Sequence, residues 1–523
     1  MIEARVCIYV LVNEIGYPKI VNIFFFRIIV VMMRKTIVCA LAILFGGAAL
    51  AQDWGGHYMM EYLDGESSVA TGDLYLVPVG AGQAEFLLTI TIKGDGYTFV
   101  YDSTDGPVTV AGDEIVWHFP GEGFDYTLTM DLSPEAQEGV PMENTIMLTE
   151  HLGEGAPPYP VDLDIAGYYR RDPACFVTPD GYMYRMTGNT CTLAMGGIYA
   201  GKVELPETVF GPFGKVFRVS GIDSDAFAYS RHVTQVSIQD AQQRVAPGAL
   251  TYTEVPYDWS KITMPFFAYP GPARDKFVIP YYDGFERPEN IFPWVIFKQS
   301  VAPARQCDNT IADENSLAGR VDQDFGRTKG VFYELQVPKE DIAKMFRGYQ
   351  AMEIEALVAD ADFVAFHTFP AFGRWKYPEP EKSASADVEK QVSGMYGREV
   401  MYSRRVAWLR NGYGELDMVE FKHKNHQAMV VFAWVNGGEV EATACLTTEI
   451  ESEFEDSGVW NVDDEGTYGI PDVITIAQDP EGAVTIFLAK NSPESVTCFA
   501  LHQNGGKLEK IDFDQWYRYV DIL

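Results

Sequence analysis

Cysteine is scarce in this chain and follows no pattern. There are seven in 523 residues, none forms a C-x-x-C, and no Cys/His spacing has the form of a zinc site. Catalytic signatures are missing too. The chain has no G-x-S-x-G, no H-E-x-x-H, no P-loop and no G-x-G-x-x-G opening a helix, so the common sequence marks of serine hydrolases, zincins, nucleotidases and dinucleotide enzymes are absent. Positive charge is also short: 40 Lys and Arg against 74 Asp and Glu leave a net charge of −34. A field of that sign repels nucleic acid and anionic lipid headgroups. No unbroken apolar run of about 20 residues is present. Residues 20–32 are interrupted by Arg27, and Arg34-Lys35 separates them from the next apolar run. Stable membrane insertion of the mature chain is therefore not expected.

The chain opens with targeting information. Arg34-Lys35 precedes the apolar run 37–45, small residues follow, and Ala49-Leu50-Ala51 forms the A-x-A pattern read by signal peptidase. This predicts a signal peptide over 33–51, an upstream extension over 1–32 that precedes the true start, and a mature chain beginning at Gln52. No lipoprotein cysteine follows the cleavage point. The predicted location is the periplasm, the cell surface or the medium. Loss of residues 1–51 removes five basic and two acidic residues, taking the net charge from −34 to −37. What remains is long enough for about three domains. Its five cysteines, Cys175, Cys191, Cys307, Cys445 and Cys498, are odd in number. Cys445 and Cys498 each lie in a strand-like run, which allows a disulfide between them or two buried thiols.

The predicted fold class is mainly β and multidomain, with a few short helices. Over residues 52–172 apolar and polar residues alternate in short runs such as 73–76, 85–93, 114–117 and 124–130, parted by Gly-rich turns at 80–82, 93–96, 103–106 and 121–123. Period-two alternation with hairpin spacing means antiparallel strands with one buried face. About eight such strands suit an up-and-down barrel. The opening Trp54-Gly55-Gly56-His57-Tyr58 and the closing Ile165-Ala166-Gly167-Tyr168-Tyr169-Arg170 resemble the small bacterial calycin barrels. These lipocalin-like domains include periplasmic lysozyme inhibitors. The segment contains no cysteine, so the disulfide common in such inhibitors cannot form within it.

Residues 173–245 carry a different pattern. Gly201-Lys202-Val203-Glu204-Leu205-Pro206 is followed by Phe217-Arg218-Val219-Ser220-Gly221-Ile222, then Ala226-Phe227 and Val233-Thr234-Gln235-Val236-Ser237-Ile238. With the strand-like Asp180 to Met186 before it, this resembles the opening segment and one repeat of the BspA-like leucine-rich repeats of bacterial surface antigens. The resemblance implies that Val219, Ile222, Ala226, Phe227, Val233, Val236 and Ile238 point into a core shared between stacked coils.

Residues 246–375 form an aromatic and Pro-rich α+β region. Its rings, among them Phe266, Phe267, Tyr269, Phe292, Trp294 and Phe366, fill a β core or line a face for sugars or proline-rich peptides. Apolar positions Ile342, Met345, Phe346 and Tyr349 after Pro338 predict a helix there. The Pro-rich stretch 376–387 reads as a linker. Residues 388–523 read as a C-terminal β-rich domain that opens with a short helix over 388–396.

One loop has metal-ligand order. Asn461, Asp463, Glu465 and Asp472 fall at positions 1, 3, 5 and 12 of a calcium-type loop with Gly466 at position 6. It is a candidate Ca2+ site, weakened by the short Asp at position 12, and the alternative is an acidic turn. The eight histidines are scattered; His423 and His426 sit in a polar turn. No catalytic residue is singled out. The reading reached is a non-enzymatic exported or surface-associated protein that binds a protein or a glycan. The alternatives are a glycan hydrolase with an unidentified carboxylate pair and a lysozyme inhibitor-like barrel protein.

Overall fold

The computed structural model describes residues 54–519 except 65–66, 81, 95–96, 104–105, 120–125, 135–143, 154–164, 231, 241–242, 281–291, 311–324, 326–329, 348–355, 376–381, 451–458, 461–466 and 493–494. The chain is a mainly β, multidomain protein. It divides into two compact units between Pro256 and Tyr257.

The first unit begins with strands β1 (Gly56–Asp64), β2 (Ser67–Gly80), β3 (Gln83–Ile92), β4 (Thr98–Asp102), β5 (Val108–Ala111), β6 (Glu114–His118), β7 (Tyr126–Asp131), β8 (Thr145–Leu152) and β9 (Gly167–Arg171). Each pairs antiparallel with its sequence neighbour except β4 and β5, which share one edge of β3. The ring closes where β9 pairs β1, Tyr58 opposite Arg171. The result is an up-and-down antiparallel barrel, as the alternation predicts. Even-numbered positions of β1 and β2, Tyr58, Tyr62, Leu74 and Leu76, point inward and meet Leu88, Trp117, Leu128, Leu148 and Tyr169 in one core. Odd-numbered positions, among them His57, Asp73 and Tyr75, face outward.

That outer face is not left to water. Tyr75, Val77 and Leu87 are buried against Cys175, Met183 and Ala194. These come from β10 (Cys175–Val177), β11 (Met183–Thr187) and β12 (Thr190–Leu193), or just after them. The chain continues as β13 (Gly201–Leu205), β14 (Thr208–Phe210), β15 (Val216–Ile222), β16 (Val233–Ile238) and β17 (Arg244–Val245). Here the pairing turns parallel: β12 with β15, β15 with β17, and β13 with β16. The backbone thus alternates between two parallel ladders, as a short solenoid does, and Val203, Leu205, Val219, Phe227 and Val233 fill the space enclosed.

The second unit contains β18 (Phe266–Pro270), β19 (Lys276–Pro280), β20 (Trp294–Phe297), β21 (Ser300–Thr310), β22 (Gly330–Leu335) and β23 (Ala356–Ala359), closed into a second barrel. Of its aromatics Phe267, Tyr269, Phe277, Phe292, Trp294 and Phe297 are buried and pack as core, and Phe266 is half-buried. Helix α1 (Lys339–Met345) has Pro338 at its N-cap and Glu340 and Asp341 in its first turn. It ends at Met345, and Tyr349 lies outside the described residues. A second helix, α2 (Ala361–Phe366), follows β23 and is capped by Asp360.

Helix α3 (Ala386–Tyr396) starts where Ser385 Oγ accepts from Val388 N and ends at Gly397, whose φ of 61° suits a residue without a Cβ. It lies inside the sequence expected as linker at one end and inside the expected helix at the other. A nine-stranded sheet completes the unit: β24 (Phe372–Arg374), β25 (Val400–Leu409), β26 (Glu415–Lys424), β27 (Gln427–Asn436), β28 (Glu439–Glu449), β29 (Asp472–Gln478), β30 (Val484–Ser492), β31 (Ser495–Asn504) and β32 (Lys507–Tyr519). One face holds a large core that includes Leu416, Phe432, Ile476 and Phe499. The other receives Val388 and Val392 of α3 against Val419, Phe421 and Val431.

The disulfide weighed between Cys445 and Cys498 does not form. Cys445 is exposed on β28 and Cys498 buried on β31, and the described cysteines stay thiols. No helix of the described residues is long and apolar enough to cross a membrane.

Candidate metal centre

Barrel closure brings the two ends of the first domain together. His57 stands near the start of β1, and Asp172 follows β9 directly; Asp172 N donates to His57 O at 2.7 Å. The chain then turns tightly, with Ala174 N donating to Asp172 Oδ1 at 2.8 Å, and delivers Cys175 into the same space. Oδ2 of Asp172 lies 3.4 Å from His57 Nδ1 and 3.4 Å from Cys175 Sγ. The nitrogen, oxygen and sulfur all lie within 4.8 Å of one another, and all three residues are buried.

A second layer fixes these groups. His57 Nε2 is 2.8 Å from Asp73 Oδ1 on the neighbouring strand β2. The Tyr75 ring lies flat on the imidazole, with centroids 4.3 Å apart and planes within 6°. Arg185 Nη1 on β11 donates to Asp172 Oδ2 at 3.1 Å, its side chain partly in solvent. Burial opposes ionisation of Asp172, but the Ala174 N–H, the Cys175 thiol, His57 and Arg185 hold its carboxyl below the usual range. Burial pushes the Cys175 thiol up to about 12, so at neutral pH it is neither a thiolate nor a competent nucleophile. The order is wrong for catalysis as well, because the carboxylate, not the imidazole, sits between the other two groups.

Other buried ionisable groups form separate clusters. In the second unit the imidazole of His367 donates from Nδ1 to Phe363 O at 2.7 Å and turns Nε2 toward Tyr257 OH at 3.4 Å. Burial lowers its pKa to about 4. Trp259 stacks on His502, which meets Thr485 Oγ1 at 2.9 Å. On β26 Glu420 is fully buried and accepts from Trp460 Nε1 at 3.0 Å and Tyr468 N at 2.9 Å. A cleft of about 130 Å3 lies between the first barrel and residues 196–200 and 226–230, smaller than the hundreds of Å3 typical of organic-ligand pockets.

Of the calcium-type loop, Asn461, Asp463 and Glu465 lie outside the described residues. Asp472 opens β29, and its carboxylate accepts from Arg374 Nη1. His423 is exposed and His426 belongs to the turn between β26 and β27, where Asn425 and His426 have φ near 56°. Sequence reasoning overlooked the His57 centre because its partners are 115 positions apart. The available clue was the barrel itself: a closed ring makes the first and last strands neighbours.

No protein-family profile matches the chain, and no curated protein shows significant similarity to it.

Proposed function

We propose that this is an exported, non-enzymatic binding protein that engages a protein partner at or beyond the cell envelope through the hairpin tip between β14 and β15. One observation carries the reading. Phe213 at that tip is fully solvent-exposed, 108% of its reference area, with φ of 57° in the left-handed region. A bulky residue held there costs of order 1 kcal/mol or more, and burying nothing it gains nothing for the fold. Phe210 and Val216 beside it are also exposed, which makes the finger apolar on both strands.

The chemistry favours a protein groove over a sugar. Pro212, Phe213 and Gly214 offer no polar side chain to pair with sugar hydroxyls, and a net charge of −34 favours a partner of basic surface. The first barrel is filled by its own side chains, so its contribution is made from outside. The two fully buried carboxylates on β26, Asp417 and Glu420, are an odd number of residues apart and face opposite sides of the sheet, so they do not form a hydrolytic pair. Lipocalin-like and BspA-like ancestry, export and cleavage before Gln52 belong to this reading and rest on the sequence pattern.

The test places a photo-cross-linking residue at position 213 in secreted protein whose N-terminus has been sequenced, with position 97 on the first barrel as control. The expected result is an N-terminus at Gln52 and one discrete protein adduct from 213. Position 97 gives none, and Phe210→Ser abolishes the adduct without changing the melting temperature. Absence of the adduct, or release of sugars from envelope glycan by the protein, overturns the proposal.

A further inference from the structure

We propose that His57, Asp172 and Cys175 form a zinc site, with Asp73 as its outer support. The reading starts from spacing. Around a tetrahedral zinc with bonds of about 2.0–2.1 Å to N and O and about 2.3 Å to S, neighbouring donors stand roughly 3.3–3.6 Å apart. Asp172 Oδ2 is 3.4 Å from both His57 Nδ1 and Cys175 Sγ. For a hydrogen bond from a ring nitrogen to a carboxylate that distance is long. As two edges of a coordination tetrahedron it is ordinary.

The imidazole is set for the same role. Histidines that bind metals through one nitrogen commonly donate from the other to a carboxylate, which fixes the tautomer. His57 Nε2 meets Asp73 Oδ1 at 2.8 Å. Nδ1 then faces Asp172 Oδ2 at 3.4 Å, a gap that a positive centre between the two atoms must bridge. A zinc ion fills that role and takes Cys175 Sγ, 3.4 Å from the same oxygen, as its third donor. The donors are rigidly presented: the ring is stacked on Tyr75, Asp172 is held by Ala174 N, and Cys175 N donates to Asp172 O at 3.2 Å. The donor set, one imidazole, one carboxylate and one sulfur, suits zinc and excludes calcium and magnesium, which take oxygen.

Arg185 is the competing cation. Its Nη1 sits 3.1 Å from Asp172 Oδ2, but its side chain is 42% exposed, and Asp223 also acts on it electrostatically. It can therefore turn from Asp172 toward Asp223 or solvent when an ion arrives. Binding replaces the Cys175 S–H bond by a sulfur–zinc bond and releases that proton to water. No electron moves. Water takes the fourth position.

The experiment uses the whole mature chain, stripped with a chelator and titrated with Zn2+ against a chromophoric competitor, then with Co2+. One equivalent of zinc is expected, and cobalt should show a thiolate charge-transfer band with the visible bands of a tetrahedral ion. Cys175→Ser should abolish the charge-transfer band, and Asp73→Asn should weaken zinc binding about 10-fold to 100-fold. Arg185→Gln should tighten it. His423→Ala with His426→Ala, in the exposed turn, should change nothing. Circular dichroism establishes that each variant is folded. Failure of the wild-type chain to take up zinc at micromolar concentration overturns the proposal, as does a folded Cys175→Ser protein with unchanged cobalt bands. Neither outcome bears on the hairpin-tip reading.

Discussion

Asp417 and Arg405 face each other across β26 and β25, with Arg405 Nε 3.9 Å from Asp417 Oδ1, and no hydrogen bond joins them. Both carboxylate oxygens of Asp417 lack a hydrogen-bonding partner, and the residue is fully buried. Arg405 is instead directed at Glu415, 3.0 Å away. Burial, with the nearby Glu415 charge, pushes the Asp417 carboxyl up to about 7, against the pull of Arg405. The folded state thus prefers the protonated acid more than the unfolded chain does. Its stabilising contribution is complete below about pH 4 and is lost as pH rises to about 7. Asp417→Asn removes that dependence. In urea titrations the variant should gain about 2–4 kcal/mol on the wild type at pH 8, and little at pH 4.

His367 works in the opposite sense. It is buried between Phe363, whose ring stacks on it at 4.1 Å, and Tyr257, with His502 acting on it electrostatically. Burial holds its pKa near 4 against an ordinary 6.5, so acid must force a proton into an apolar site or open it. Its contribution is present above about pH 6.5 and lost as pH falls toward 4, up to about 3 kcal/mol. Over that window the two slopes oppose, and Asp362, which burial also pushes up to about 7, adds to the Asp417 side. His367→Gln should leave a profile that declines steadily with rising pH, read by the same urea titrations at half-unit steps.

These two residues mark the limit of what the sequence makes legible. Alternation such as Tyr126-Thr127-Leu128-Thr129-Met130 is a local signal, and the strand it predicts is β7 with alternating burial. Hairpin spacing extends that to a barrel, because each strand pairs with the next. The parallel ladders of β12 with β15 and β13 with β16 join residues about 30 apart, which hairpin logic cannot supply. Asp417 reads as one more polar position in an alternating strand, yet it is fully buried on the sheet face that carries Val419 and Phe421. His57 reads as an outward residue of β1, which it is, and the layer covering it comes from a segment 115 residues on.

The segment of parallel ladders carries its own test. An added Cβ at Gly221 would lie 2.0 Å from Arg244 O in the next coil, and that atom is backbone, with no side-chain rotation to relieve it. Gly221 pairs directly with Arg244 in the β15 and β17 ladder. Gly221→Ala should cost more than about 2 kcal/mol. Hydrogen exchange should show the loss first in Val216–Ile222 and Arg244–Val245, with amides of β6 and β7 still protected. Equal protection in both proteins would show that the coils are not in the close contact described.

The first barrel offers the most direct test of whether its interior carries a ligand. Leu88 is completely buried among Tyr62, Leu74, Trp117 and Leu128 of the same core. Tyr62 OH crosses that space to donate to Ile165 O at 3.0 Å, so polar groups inside are satisfied by the chain itself. A filled interior takes up no apolar dye, and removing a side chain leaves a hole that the rigid ring cannot close. Leu88→Ala should therefore cost about 2–5 kcal/mol and create a dry cavity able to take a small apolar molecule. Benzene or xenon should raise the melting temperature of the variant and leave that of the wild type unchanged. If the wild type responds equally, the barrel already holds a ligand-sized space, and its outer surface is not where recognition is confined.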